Sequence, residues 1–414
     1  MSQSMLLLES KKKLSLNSQW SEIPPELLDV ITTKLTSYVD YLRVRSVCPT
    51  WRAILPRKPD NRLARLTQSP WLLLSRYNND NTLCDTHCCF YNLAERRTYS
   101  LELPEVIGDK KQCWGSPYGW LVYGQEGGPL ISLLNPLTRA QIQLPSLFYY
   151  PSTSPNEYNI VLPWDLIGYL ADCTIVKAVL FGNPSLSSDF SIMALMEGGI
   201  CSLAYYRSGT EAWSLFTDTE EISFGDVICF KGEYYGVDLD GHVYHCHLGV
   251  SPNVARVIDA PEPLPDDDPE QKYLVESSNE LFMVYRYLEH DYDGPFEPTY
   301  WFILYKLDWN ELTWCLFENL GDQVLFLGAN GSFSLSVQDY PFCQENSVYF
   351  TDDMRIPVDE PDLDKFKVGP VRGHDLGVFN IHHGVAEPIP NCPVPDPDTI
   401  EYMLPPPVWV TLSL

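Results

Sequence analysis

Two hydrophobic rhythms divide the chain. Between Trp20 and Leu55 apolar residues recur at helical spacing, while from Trp71 onward they come in short runs broken by Gly, Pro, Asn and Asp. Pro24-Pro25 suits a first helical turn, where the missing N–H has no partner to lose, and Leu27, Leu28, Ile31 and Leu35 then fall on one helical face. A second short stretch places Val39, Leu42 and Val47 inward, and Pro49 opens a third that carries Trp51, Ile54 and Leu55. Pro56 and Pro59 end the series. Three short helices are therefore predicted over residues 20–55, after a polar leader at 1–19 and before a basic connector at 56–69.

The stretch from 70 to 414 reads as strands. Gly119–Tyr123, Ile131–Leu134 and Val324–Leu327 are rich in β-branched, aromatic and leucine side chains. Asp240-Gly241, between Tyr235–Leu239 and His242–His247, predicts a hairpin with a two-residue turn, because such a turn wants positive φ. Trp213-Ser214-Leu215-Phe216 is matched by Trp314-Cys315-Leu316-Phe317, each after a strand and polar turn and before a further strand. A repeated strand unit over so long a stretch predicts a mainly β fold, a β-propeller of six or seven blades, whose sheets close on themselves and leave few edges. Segments 151–165, 251–271, 289–299 and 353–372 are rich in Pro, Asp, Glu and Ser and read as long surface loops, where binding usually sits.

Charge sharpens this division. Residues 1–66 carry 11 Lys/Arg against 6 Asp/Glu, and the rest 17 against 49, for a total of −27. So acidic a body repels phosphate backbones, which argues against nucleic-acid binding and for basic or polar protein partners. Hydrophobic content of 45% supplies a sizeable core. No apolar run is long enough to span a bilayer, and the early cluster Met5–Leu8 precedes Lys11–Lys13, the wrong order for a secretory signal. The expectation is a soluble intracellular protein, cytoplasmic or nuclear, with no membrane partner. The 12 cysteines are scattered, which favours reduced thiols over a disulfide framework.

Trp20–Leu55 resembles the F-box. The matching marks are Ile23-Pro24, Leu27-Leu28, Ile31, Leu35, Leu42 and the closing Val47-Cys48-x-x-Trp51-Arg52, with Ile23 where Leu is commoner. Roughly residues 70–385 resemble the plant F-box-associated β-propeller family. Its marks include Gly115-Ser116-Pro117-Tyr118-Gly119-Trp120, Asn135-Pro136-Leu137-Thr138, Lys177-Ala178-Val179-Leu180 and Tyr273–Ser277. Further marks are Leu325–Gly328, Asn346–Asp353 and Asp375-Leu376-Gly377. The resemblance implies a Skp-type adaptor bound by Ile23, Pro24, Leu27, Leu28, Ile31, Leu35, Leu42, Val47, Cys48 and Trp51, and through it a cullin. It also implies that the propeller holds a target protein for ubiquitination.

The residues themselves agree that a partner is needed, since some 35 residues bury little on their own. The acidic loops around Asp266, Asp267, Asp268, Asp359 and Glu360 are the candidate target-binding surface. Cys84, His87, Cys88 and Cys89, and His245-Cys246-His247, lack the paired spacing of a zinc site, and Asp291-x-Asp293-Gly294 lacks the closing Glu of a calcium loop. No metal, cofactor or catalytic residue is expected. No nucleophile elbow, phosphate loop or dinucleotide fingerprint is present. The alternatives are a propeller enzyme or small-ligand sensor, or an F-box scaffold outside a ligase. A cluster of titratable groups with perturbed pKa in the central channel would favour the enzyme or sensor.

Overall fold

The computed structural model describes residues 20, 22–35, 38–56, 69–78, 80–108, 111–125, 128, 130–147, 174–197, 202–216, 219, 221–249, 252–262, 268–290, 296–358, 367–400 and 402–412, with backbone alone at 38–39, 42, 355–358 and 367–370. Two compact units are present, one within residues 1–69 and one over Pro70–Ser413.

The first unit contains α1 (Pro25–Thr33), α2 (Tyr38–Ser46) and α3 (Pro49–Ile54). Proline stands at the first position of both α1 and α3, where it removes no helical hydrogen bond. Cys48 caps α3, its Sγ accepting from the Trp51 backbone N–H at 3.4 Å. Leu28, Tyr41, Trp51 and Leu55 are buried. Their polar ends are satisfied: Trp51 Nε1 donates to the Trp20 carbonyl at 2.9 Å, and the Tyr41 hydroxyl donates to the Pro56 carbonyl at 2.7 Å.

The second unit is a six-bladed β-propeller. Blades 2 to 5 are four-stranded antiparallel sheets in chain order, starting at Lys111, Thr174, Phe224 and Gln271. Their first strands meet one another around the axis and are mostly buried. Their last strands face outward with polar side chains between apolar ones, as in Asn253–Ile258 and Thr313–Phe317. The repeated Trp-x-Leu-Phe motifs lie at this outermost position in blades 3 and 5, spanning strands Ser214–Leu215 and Thr313–Phe317.

Blade 1 is closed by the far end of the chain. Val408–Thr411 pairs antiparallel with Pro70–Leu74, setting Leu72 opposite Trp409 and Trp71 opposite Val410. Trp409 is fully buried and meets Phe326 of blade 6 edge-on at 5.1 Å. Gly115 has no alternative here, because a Cβ at that position would lie 1.8 Å from the Trp409 carbonyl oxygen. Blade 6 departs from the pattern. It has five strands, and Gln323–Leu327 runs parallel to Ser347–Phe350.

Several expectations need correction. The blade 4 hairpin has a three-residue loop between Asp238 and His242, with only Gly241 at positive φ, rather than a two-residue turn. Segment 251–271 contains the strand Asn253–Ile258, and 353–372 contains a two-stranded hairpin, Arg355–Val358 with Lys367–Val371. Segment 151–165 lies outside the described residues. Val47, expected inside, is 60% exposed, because it lies in the link beyond α2 rather than on the helix's packed side.

The closure predicts that Trp409→Ala lowers the unfolding free energy by about 3–5 kcal/mol, as large-to-small core changes do. Denaturant unfolding of the full chain followed by tryptophan fluorescence measures it.

Candidate functional site

Two surfaces have the makings of a site. The first is on the helical unit. Trp20, Leu27, Val30 and Val47 are 63%, 53%, 54% and 60% exposed, an unusual density of large apolar groups on and beside three short helices. Leu27 and Val30 lie three residues apart and so share one face of α1. Of the other candidate adaptor residues, Pro24 is exposed, while Ile23, Ile31, Leu35 and Cys48 are half-buried. Leu28 and Trp51 are buried, so they shape the surface rather than present it. The side chain of Leu42 lies outside the described residues. Val30 was not anticipated, since its spacing from Leu28 places it off the apolar stripe read from sequence.

The second is a cavity of about 490 Å³ on the propeller axis. Every blade contributes to its wall: Pro406 leads into blade 1's inner strand, and Trp114, Lys177, Phe224, Gln271 and Asp353 come from or beside blades 2 to 6. A larger hollow of about 630 Å³ between blades 3 and 4 is an open surface trough, whose Asp189–Arg207 pair is mostly in solvent.

Two buried ionic nodes stand beside the axial cavity. Lys177 Nζ lies 2.9 Å from Asp226 Oδ1 and donates to the Gly328 carbonyl at 3.0 Å. Asp226 Oδ2 accepts from the Leu274 N–H and the Ser332 hydroxyl, each at 3.1 Å. Burial raises the Asp226 carboxyl above its ordinary range, with Lys177 opposing the shift.

The second node is built on Arg286, which is wholly buried. Its Nε donates to Thr299 Oγ1 at 2.7 Å, and its Nη2 to Asp375 Oδ2 at 2.7 Å. Its Nη1 reaches the Tyr273 hydroxyl at 3.0 Å, the Thr351 carbonyl at 2.9 Å and Asp353 Oδ1 at 3.0 Å. Tyr273 in turn donates to Asp353 Oδ1 at 2.8 Å. Asp352, also buried, accepts from the Gly373 N–H at 2.8 Å and the Met354 N–H at 3.1 Å. Burial, with Asp375 and Asp353 nearby, pushes its carboxyl up to about 7 against the pull of Arg286.

Only two carboxyls beside the channel, Asp226 and Asp352, are raised, and each is held by backbone N–H donors. Lys177, Tyr273, Asp352, Asp353 and Asp375 all belong to segments that marked the family resemblance. Arg286 and Asp226 went unremarked in the sequence. Their signal is a lone charge inside an apolar strand, as in Leu281–Leu288 and Phe224–Phe230. Asn135, another mark, is fully buried and its Oδ1 accepts from the N–H groups of Leu137 and Thr138, so it folds the blade 2 turn.

The candidate acidic surface is mostly beyond reach: Asp266, Asp267, Asp359 and Glu360 lie outside the described residues, and Asp268 is exposed. Cys88 is buried on its strand, and burial raises its thiol. Cys246 is buried, while His245 pairs with Glu233 at 2.9 Å and His247 is exposed, so the strand's alternation separates the thiol from both rings. Asp238, Asp240 and His242 bring three ligand atoms within 4.8 Å of one another, but Asp238 is already engaged by the His242 ring and backbone N–H.

Residues 90–380 match the family described as KIB1-4 beta-propeller. F-box protein SKIP23 of Arabidopsis thaliana is 24% identical over 421 residues, covering 95% of this chain and 95% of that protein. F-box protein At2g17036 of the same plant is 24% identical over 95% of both chains. F-box protein At4g35733, also from Arabidopsis thaliana, is 26% identical over 82% of this chain and 90% of its own length. The solved structure of BBS1N in complex with ARL6DN, soaked with mercury, aligns with a TM-score of 0.33 at 14% identity, over 61% of this chain and 69% of that one, a likeness too slight to carry an argument. Among the described residues, no helix is long and apolar enough to cross a membrane.

The raised Asp352 carboxyl sets a pH dependence. An unfolded aspartate titrates near 3.9. The stability that comes from keeping a neutral carboxyl buried is therefore complete below that pH, declines as pH rises, and is gone above about 7. Between pH 5 and 7 the wild-type chain should lose about 1 kcal/mol per pH unit relative to Asp352→Asn, and little further above pH 8. Chemical unfolding of both proteins across that range checks the slope.

Proposed function

Because this chain belongs to the KIB1-4 beta-propeller family, we propose that it is a substrate-recognition subunit of a Skp–cullin–F-box ubiquitin ligase. The helical unit docks on a Skp-type adaptor, the adaptor joins a cullin, and the propeller holds a target protein. The observation that carries this reading is the exposed set Leu27, Val30 and Val47 on a three-helix unit separate in the fold from a closed propeller. Apolar side chains of that size gain about 1.5–3 kcal/mol each when a partner covers them. The names of the full-length relatives support the same reading.

The chain's part is tethering. Holding a target beside a charged conjugating enzyme raises effective concentration, and no bond is made or broken by this chain. The pairing of the propeller's interior charges supports a role without catalysis. Lys177 and Arg286 each face a carboxylate at hydrogen-bond distance, which suits fixed geometry better than proton transfer to a substrate. The acidic body favours basic target surfaces, with Asp268 on the exposed side.

Leu27→Asp with Val30→Asp should weaken binding to a purified Skp-type adaptor by at least about a hundredfold, in line with the loss of central interface contacts. Both residues are more than half exposed, so the helices should keep their circular dichroism. Titration calorimetry of the two proteins checks the affinity, and unaltered binding by the folded variant excludes this face as the dock. Leu28→Asp should instead unfold the helical unit, because Leu28 is fully buried.

A further inference from the structure

The far end of the propeller axis holds a second cavity, of about 460 Å³. The innermost strands of blades 3, 4 and 5 begin at the cavity described above and end at this one, with Phe181, Cys229 and Glu276 in its wall. Blade 2 adds Tyr118 and blade 6 adds Ser334. Glu276 is the one charged side chain among the described residues of this wall, so no cation there opposes it.

Four polar side chains of the wall are unengaged. Glu276, Ser278, Asn279 and Ser334 share no hydrogen bond or ion pair with any described residue. They are also open to solvent: Ser278 and Asn279 are exposed, Glu276 and Ser334 are half-buried, and neither Glu276 oxygen is sealed off. The Glu276 carboxylate points between the blades that face it. Burial raises the Tyr118 hydroxyl of blade 2 and the Cys229 thiol of blade 4, and the Glu276 charge adds to the rise in both. Ser278 and Asn279 form the two-residue turn between Ser277 and Glu280, with φ of 53° and 64°. Glycine takes such a turn with less strain, and residues held there against that preference cluster where ligands are gripped.

An unopposed carboxylate in a partly enclosed wall favours a cation. One carboxylate is too few ligands for a metal ion, but the hydroxyl and amide oxygens around it can accept several N–H donors together. Tyr118 and Phe181 add aromatic surface. A guanidinium combines five donors in one plane with a positive charge, and it packs well on aromatic rings. We propose that this cavity binds a guanidinium group, whose N–H groups donate to Glu276 and to the oxygens of Ser278, Asn279 and Ser334. A free guanidino compound and the arginine side chain of a captured protein share this chemistry. The inference deepens the reading in which the propeller takes a basic target. Its test uses the full chain by itself, so its failure leaves adaptor docking untouched.

The test is titration calorimetry of the purified full chain at pH 7.5. The probes are n-butylguanidine, Nα-acetyl-arginine methylamide, and the citrulline and lysine counterparts of the latter. Citrulline keeps the shape without the charge, and lysine keeps the charge without the planar fork. Saturable one-to-one binding is expected for a guanidinium probe. The lysine probe should bind more weakly, and the citrulline probe about tenfold or more weakly, the scale of a lost hydrogen bond to a charged group. Tighter binding of n-butylguanidine assigns a free guanidino compound, and tighter binding of the arginine derivative assigns a protein side chain. Glu276→Gln should weaken the guanidinium probe by about tenfold or more. Asn279→Asp accepts the same left-handed backbone and adds a carboxylate at the rim. It should tighten binding by about twofold to fivefold, the scale of an exposed ion pair. Opposite shifts in the two variants separate recognition from loss of fold. The proposal is overturned if neither guanidinium probe binds saturably at millimolar concentration, or if the citrulline or lysine probe binds equally well. It is also overturned if Glu276→Gln binds like the wild type, or if the two variants shift binding in the same direction.

Discussion

Burying Arg286 away from all solvent obliges a planar group with five N–H donors to find its partners within the protein. Those partners come from two blades. Tyr273 and Thr299 belong to blade 5, and Thr351, Asp353 and Asp375 to or beside the strands of blade 6. Thr299 is held in turn, its backbone N–H donating to Asp375 Oδ2 at 3.0 Å. Removing one member strands the others, which is why breaking a buried ionic group costs about 3–5 kcal/mol even where the intact group adds little net stability. Its more specific effect is positional. Asp353 stands at the wall of the axial cavity because Arg286 and Tyr273 fix one of its oxygens.

The Lys177–Asp226 node extends the same principle around the axis. It joins blades 3 and 4, and its remaining hydrogen bonds go to Leu274 of blade 5 and to Gly328 and Ser332 of blade 6. Blades 1, 2 and 6 are tied differently, by Trp409 packing on Phe326 and by the close approach of Gly115 to the Trp409 carbonyl. Directional polar contacts on one side and close apolar contact on the other hold one wall rigid. A rigid wall lets a binding surface present fixed geometry without paying ordering entropy on each encounter.

Much of this architecture is legible in the residues. Pro25 and Pro49 mark helix starts, the matched Trp-x-Leu-Phe units mark outer strands, and Asp240-Gly241 marks a hairpin. What stays hidden depends on contacts distant in sequence. Arg286 and Asp375 are 89 residues apart, and no local pattern announces that a strand arginine will meet them. The helical unit hides a different fact. Leu27 and Leu28 are adjacent and both apolar, yet one is exposed and the other buried, because a unit that must both pack and dock needs two apolar faces. Periodicity finds the apolar residues but does not divide them between those faces. The strands Asn253–Ile258 and Arg355–Val358 were hidden because polar and proline residues dilute their β signal.

The account's central claim is that adaptor docking and target capture belong to separate surfaces of one chain. Affinity capture of the full chain from proteasome-inhibited cells, quantified by mass spectrometry, compares the wild type with Leu27→Asp/Val30→Asp. The account predicts that Skp-type adaptor and cullin peptides fall together by at least about tenfold, the scale of a lost interface anchor, while another set of captured proteins is retained at wild-type levels. Adaptor peptides that stay at wild-type levels, or a loss of all captured proteins together, would contradict it.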